Sequence, residues 1–335
     1  RYFAYVITAE TGEVPIRIEL PYDGKRMEEE LFDLYSSFAS GNNRMLTDKD
    51  ELSYGVYWSA IAPLVKDKSV IHLASAGVYN KLNPGTLYNP ATKSYLGEEK
   101  ELHLASSGRS LIISRLLNRS PGQEQTATLV GYPDYNSETA EEEELTASMS
   151  RDLADFWLDS LSRGYGAKPL PGTKTEVEQL EGLLKEKGWQ VSTYLEGAAT
   201  EGVVKQVQAP KVVHLATHGY FFENIQTDHS KTNRMMGMET EQLVQDPLLR
   251  SGLLFAGANT TLKGEQREGE NGLLSAREAA ALNLEGTELV VLSACETGRG
   301  ELRNAEGVYG LRKAISDAGA RNIIMSLWKV DDKVT

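Results

Sequence analysis

The sequence predicts an α/β protein: a mostly parallel sheet with helices on both faces, preceded by a smaller α/β region at the N-terminus. Three observations lead there. From Ala127 onward, short apolar runs alternate regularly with segments of helical spacing. Those apolar runs read as buried strands, as the strands of a parallel sheet covered on both faces should. Two of them end alike, each delivering one reactive side chain and then a glycine-bearing loop.

The elements follow in order. Tyr2 to Ile7 and Ile16 to Leu20 alternate as strands do, Pro21-Tyr22-Asp23-Gly24 is a turn, and Met27 to Ala39 reads as an amphipathic helix. Gly41 to Glu51 is a polar connector, Trp58 to Val65 has helical spacing, and Ser69 to Leu73 is a short apolar strand. This N-terminal region is assigned to residues 1–125 and the sheet-forming domain to 126–335. In the second, Ala127 to Gly131 is a strand closed by the turn Gly131-Tyr132-Pro133-Asp134, and a helix is expected around Ser150 to Leu161. Leu170-Pro171-Gly172-Thr173 opens another helix. Thr173 is expected to cap it with Glu176 as capping-box partner; Val177, Leu180, Leu183 and Leu184 form its apolar stripe and Gly188 ends it. Gln190 to Leu195 is a strand, Thr200 to Val207 a helix and Lys211 to Thr217 a strand. After a long polar loop come the helix Ser275 to Leu282, the strand Glu288 to Ser293, the helix Ala305 to Ala318 closed by Gly319, and the strand Asn322 to Leu327.

Composition narrows the function. Of 335 residues, 48 are acidic and 35 basic, a net charge of −13 that argues against a nucleic-acid groove built on clustered Lys and Arg. No apolar run approaches the roughly 18–20 residues needed to span a bilayer, and no secretory signal opens the chain. It begins with Arg1 rather than Met, so a longer precursor is expected. The single cysteine, Cys295, excludes an intramolecular disulfide and a cysteine-rich zinc site, and suits a reducing cytoplasm. No phosphate-binding glycine loop and no G-x-S-x-G elbow is present.

In open parallel sheets, ligands collect outside the carboxyl ends of the strands. Val212 to Thr217 runs into His218-Gly219, and Leu289 to Ala294 runs into Cys295-Glu296-Thr297-Gly298. A thiol attacks a carbonyl usefully as thiolate, and a neighbouring imidazole can take its proton. His218 is therefore the candidate base and Cys295 the candidate nucleophile, provided their strands lie side by side. The glycine after the histidine allows close backbone approach, so the N–H groups of Gly219 and Cys295 are the candidate oxyanion hole. His214 is the rival base, but it sits inside the apolar run, where a hydrogen-bonded core role is expected. His72, His103 and His229 have no comparable setting and read as structural or surface groups.

His-Leu-Ala-Thr-His-Gly at 214–219, Ser-Ala-Cys-Glu-Thr-Gly at 293–298 and Ser-Leu-Trp-Lys-Val-Asp-Asp at 326–332 together resemble the CHAT-domain peptidases, relatives of caspases and separases. The similarity runs from about Tyr57 to Thr335 and includes Leu170-Pro171-Gly172, the segment Asp246 to Leu253, and Ala305-Glu306-Gly307. It implies a caspase-hemoglobinase-like fold, a dyad of His218 and Cys295 at adjacent strand ends, and peptide-bond hydrolysis without metal or cofactor. It also implies a protein or peptide substrate, an activating partner or a fused sensor or repeat module, and a setting in bacterial defence or cell death. A non-proteolytic scaffold that binds a partner is the alternative. The family fold continues with a further helix beyond the Trp328 strand, so truncation or cleavage at Thr335 is expected. Ile71-His72-Leu73-Ala74-Ser75-Ala76-Gly77 echoes Val213 to Gly219, with Ala76 in place of the histidine. That marks either a degenerate pseudo-caspase half or a coincidence of a common strand–turn pattern.

The resemblance also suggests where a substrate side chain is read. Asp134, Asp331 and Asp332 follow the first and last strands and are candidates to line a P1 pocket, with Asp331 or Asp332 as counter-charge to a basic P1 residue; helix capping is the other use of the last two. The long loop Phe222 to Asp246, bearing Met235, Met236 and Met238, is either a substrate or activation loop or a plain surface excursion.

Overall fold

A computed structural model describes residues 1–39, 49–105, 107–109, 111–112, 124–136, 166–221, 234–235, 238–239, 243, 245–262, 270–294, 301–303 and 307–326. The chain divides into two units, Arg1–Leu117 with Leu302–Val308, and Asn118–Glu301 with Tyr309–Thr335.

In the first unit, β1 (Phe3–Val6) and β2 (Ile16–Glu19) form an antiparallel hairpin. The one helix expected over Met27 to Ala39 is two, α1 (Gly24–Glu28) and α2 (Glu30–Ala39). Asp23 draws the start forward, because its carboxylate accepts from the N–H groups of Lys25 and Arg26. The same device moves the next helix: Asp50 accepts from Leu52 N and Ser53 N, so α3 is Glu51–Tyr57. Of the stretch expected to be helical, only a 3-10 turn at Ala62–Val65 remains. Strand β3 (Val70–Ala74), the pair β4 (Tyr88–Asn89) and β5 (Ser94–Tyr95), α4 (Leu96–Glu99) and β6 (Glu101–Ala105) follow, with β3 parallel to β6. Met27, Leu31, Tyr35, Val56, Tyr57 and Trp58 are buried at the centre of this unit's core.

The second unit holds the predicted sheet. Its elements are β7 (Thr126–Pro133), α5 (Pro171–Glu186), β8 (Gln190–Glu196), α6 (Glu201–Lys205), β9 (Val212–Ala216) and β10 (Gly219–Phe221). Two short strands, β11 (Arg234–Met235) and β12 (Met238–Glu239), precede β13 (Ser251–Leu254), α7 (Ala258–Leu262), β14 (Leu273–Ser275), α8 (Ala276–Ala279) and β15 (Leu289–Ser293). The pair β16 (Glu301–Arg303) and β17 (Gly307–Tyr309) falls mostly in the Leu302–Val308 segment of the first unit, and α9 (Leu311–Asp317) and β18 (Asn322–Met325) complete the second. The helix expected from Ala305 thus starts at Leu311, after a strand that runs to Tyr309. The helix expected near Ser150 to Leu161 lies outside the described residues, as does most of the Phe222 to Asp246 loop.

Five strands pair in the order β18-β15-β9-β7-β8, all parallel. Strand parity sorts their side chains between two faces. Val130, Val213, Leu215, Val290 and Leu292 face a core completed by Val204 of α6, Ala276 and Ala279 of α8, and Leu311, Ala314 and Ile315 of α9. Ala127, Leu129 and Ala216 face Val177 of α5 on the other side. Each of the larger aliphatics is worth roughly 1.5–3 kcal/mol when fully buried. Register follows from that burial, since a slip by one residue would turn every apolar side chain to the wrong layer.

Helix α5 corrects one expectation in detail. It starts at Pro171, whose missing N–H suits the first helical position, and not after a Thr173 cap. The Thr173 hydroxyl instead donates to Leu170 O at 2.7 Å and accepts from Tyr132 N at 3.1 Å. Glu176 is turned onto the sheet, so no capping box forms.

Candidate active site

The two strands that lead to the candidate dyad are neighbours. Strand β9 pairs in parallel with β15, Val291 opposite His214 and Ser293 opposite Ala216. The ladder continues one residue further, where Thr217 N donates to Ser293 O at 3.1 Å. His218 follows at once. On the other strand, Ala294 is buried, and its carbonyl accepts from the Ser326 hydroxyl. Cys295 is the next residue and lies outside the described residues, as do Asp331, Asp332 and His229.

His218 is half-buried, with Nε2 2.9 Å from the carbonyl oxygen of Lys168. A carbonyl only accepts, so Nε2 carries the proton and the neutral ring has its lone pair on Nδ1. The Tyr135 ring stands 5.4 Å away, tilted by 42°. Tyr135 is itself fixed: its hydroxyl donates to Thr217 Oγ1 at 2.9 Å, and Thr217 Oγ1 donates to Leu254 O. Gly219 opens β10, which pairs antiparallel with β13, and Leu254 N donates to His218 O at 2.9 Å. The backbone before the imidazole is therefore held by β15 of the main sheet, and the backbone after it by the small sheet β10-β13-β14.

The carbonyl that receives the histidine proton has its own support. Asn259, at the start of α7, is 2% exposed. Its Oδ1 accepts from Ala167 N at 2.6 Å, and its Nδ2 donates to Ala167 O at 3.1 Å and Asn136 Oδ1 at 2.8 Å. Its own N–H donates to Tyr135 O at 2.9 Å. One amide thus fastens the segment before Lys168 to the turn that carries Tyr135.

Asp134 is exposed at the carboxyl end of β7, its N–H donating to Glu196 O and its Oδ1 accepting from Asn136 N at 3.1 Å. It lies on the strand beside β9, at the same edge of the sheet as His218. His214 is 3% exposed, inside the layer under α5, as its place in the apolar run implied. Its Nε2 stands 3.1 Å from Glu176 Oε1, close enough for an ion pair but poorly aligned for a hydrogen bond. The other carboxylate oxygen, Oε2, accepts from Ser293 Oγ at 3.0 Å. The carboxylate thus sits between serine and histidine. A serine nucleophile would need the imidazole in that middle position, so these three side chains are not a hydrolytic triad. His72 and His103 stack on the exposed face of β3 and β6 in the first unit.

Around the site, burial pushes the Tyr220 phenol up, reinforced by Glu278 and Glu201, so it stays protonated. Among the described residues no three His, Cys, Asp or Glu side chains are grouped to hold a metal, and no helix is long and apolar enough to cross a membrane.

A family model for the CHAT domain matches residues 56–335. The chain belongs to the CHAT-domain family. That family is one of caspase-like peptidases, and the five-stranded parallel sheet flanked by helices is the α/β architecture expected of a CHAT domain. No curated protein matches the chain. Sequence reasoning assigned no role at the candidate site to Glu176, Ser293, Asn259 or the Lys168 carbonyl, which the structure brings near His218 and the end of β15. Ser293 stood in the motif at 293–298, and Glu176 left a trace as a carboxylate on the same helical stripe as Thr173, Val177 and Leu180.

Proposed function

We propose that this protein is a caspase-like cysteine endopeptidase with Cys295 as nucleophile and His218 as general base. One observation carries the reading: β9 and β15 are adjacent and in parallel register, Ala216 opposite Ser293, so positions 218 and 295 each follow two residues beyond matched strand ends. The Cys295 thiol gives its proton to His218, and the sulfur adds to the scissile carbonyl carbon. The N–H groups of Gly219 and Cys295 receive the oxyanion. The imidazolium then protonates the leaving amine as the C–N bond breaks. Water, activated by His218, cleaves the thioester and restores the thiol. No cofactor enters these steps.

Asp134, Asp331 and Asp332 are proposed to line the P1 pocket, with Asp331 or Asp332 as counter-charge to a basic P1 side chain. Activation by a partner or a fused sensor module, in a reducing compartment and in a defence or cell-death response, completes the proposal.

The test compares wild type with Cys295→Ala and His218→Ala on a peptide library, with the full-length protein and its activator. Cleavage should be lost in both variants, with non-additive losses, and wild type should favour Arg or Lys at P1. Cleavage that survives both changes removes the mechanism. A wild type that binds a partner and cuts nothing makes the chain a scaffold.

A further inference from the structure

Resting on the peptidase reading above, we propose that Glu176 is a positioning residue that ties together the two strands delivering the dyad. In β9, Val213 and Leu215 face one core, so His214 and Ala216 point to the α5 side. In β15, Val290 and Leu292 face that same core, so Val291 and Ser293 also point to the α5 side. Glu176 reaches down from α5 between them. Its Oε2 accepts from Ser293 Oγ at 3.0 Å, and its Oε1 stands 3.1 Å from His214 Nε2. Ser293 precedes Cys295 by two residues, and His214 precedes His218 by four. A single carboxylate therefore bonds to the last residue of β15 and lies against the middle of β9.

The same stretch of chain touches the site twice more. Thr173 Oγ1 accepts from Tyr132 N at the end of β7, and Lys168 O receives the His218 ring N–H. Residues 168–176 thus fasten three neighbouring strand ends to one helix start. Strands past their last ladder bond can shear against each other, and a cross-tie at this level resists that motion. The distance between thiol and imidazole is sensitive to it, because a displacement of about 1 Å can cost on the order of a hundredfold in rate.

Cys295 is the only cysteine, so iodoacetamide reports its thiolate directly and needs no substrate or activator. Alkylation rates across pH are measured on the full chain for wild type, Glu176→Ala, Glu176→Gln, Ser293→Ala and His218→Ala, with folding checked by circular dichroism and melting. His218→Ala should slow the reaction near neutral pH about tenfold or more, as the thiolate fraction falls. Glu176→Ala should slow it by about tenfold and Ser293→Ala by a few-fold, both moving the pH limb upward. Glu176→Gln should recover part of the rate, since its amide oxygen still accepts from Ser293. Should Glu176→Ala fail to fold, Ser293→Ala, which deletes one hydroxyl, decides alone. Glu176 and Ser293 variants that fold and react like wild type, while His218→Ala is slow, overturn the tie and leave the peptidase reading intact. Alkylation indifferent to His218→Ala overturns both.

Discussion

Thr217 N–H donates to the Ser293 carbonyl at 3.1 Å, carrying the β9–β15 ladder one residue past the last strand position. The chain therefore enters His218 from a hydrogen-bonded, buried residue. Thr217 is anchored through its hydroxyl as well, to Leu254 O and Tyr135 Oη. The imidazole thus stands on a rigid base, as the proposed proton acceptor should.

Asn259→Ala is expected to destabilise the protein by about 2–4 kcal/mol, because it strands the buried N–H and carbonyl of Ala167 as well as deleting the side-chain bonds. Urea unfolding measures this. A midpoint equal to that of wild type would show that the 166–168 segment is held by something else.

Gly131→Ala tests how tightly α5 lies on the sheet. A Cβ there would come 2.7 Å from Val177 Cγ2 and 3.3 Å from Thr173 O. Overpacking of this kind costs about 1–3 kcal/mol. Adding Val177→Ala should return part of the loss in a double-mutant cycle. Strict additivity of the two changes would mean the helix does not press on Gly131.

Glu201 gives a pH dependence with a definite sign. Burial raises its carboxyl above the ordinary glutamate range, against the opposing pull of Lys205 and the Asn271 N–H. The folded state thus holds this proton more tightly than the unfolded chain does, and stability falls as pH rises through the folded value. Glu278, which shares Lys205, runs the other way: burial opposes its ionisation, but bonds from Lys205 and Ser275 outweigh it and lower its carboxyl. Glu201→Gln removes the first dependence and leaves Lys205 to Glu278. Its urea midpoint relative to wild type should climb between pH 4 and pH 7; an offset that stays constant would refute the assignment.

The sheet and the dyad strands were legible because buried parallel strands announce themselves as apolar runs, and Val212 to Ala216 and Leu289 to Ser293 are such runs. Helix starts were less so. Asp23 and Asp50 cap helices that apolar spacing placed several residues later, because the spacing records which face is buried and not where the hydrogen-bonding begins. Glu176 was misread for a related reason. Threonine and glutamate three apart fit a capping box, and only tertiary packing shows the carboxylate reaching across to Ser293. Asn259 gave no signal, since its partners at 136 and 167 are remote in sequence and irregular in structure.

The pairing of β9 with β15 also governs when the proposed dyad can assemble. The two strands are separated by the whole stretch from Thr217 to Glu288, and such non-local contacts form late and slowly. A nascent chain emerging from the ribosome carries the imidazole long before the sulfur has been synthesised. On the proposed peptidase reading, the sequence order thus keeps an unfinished polypeptide inert until position 295 has been made and the two strands have paired.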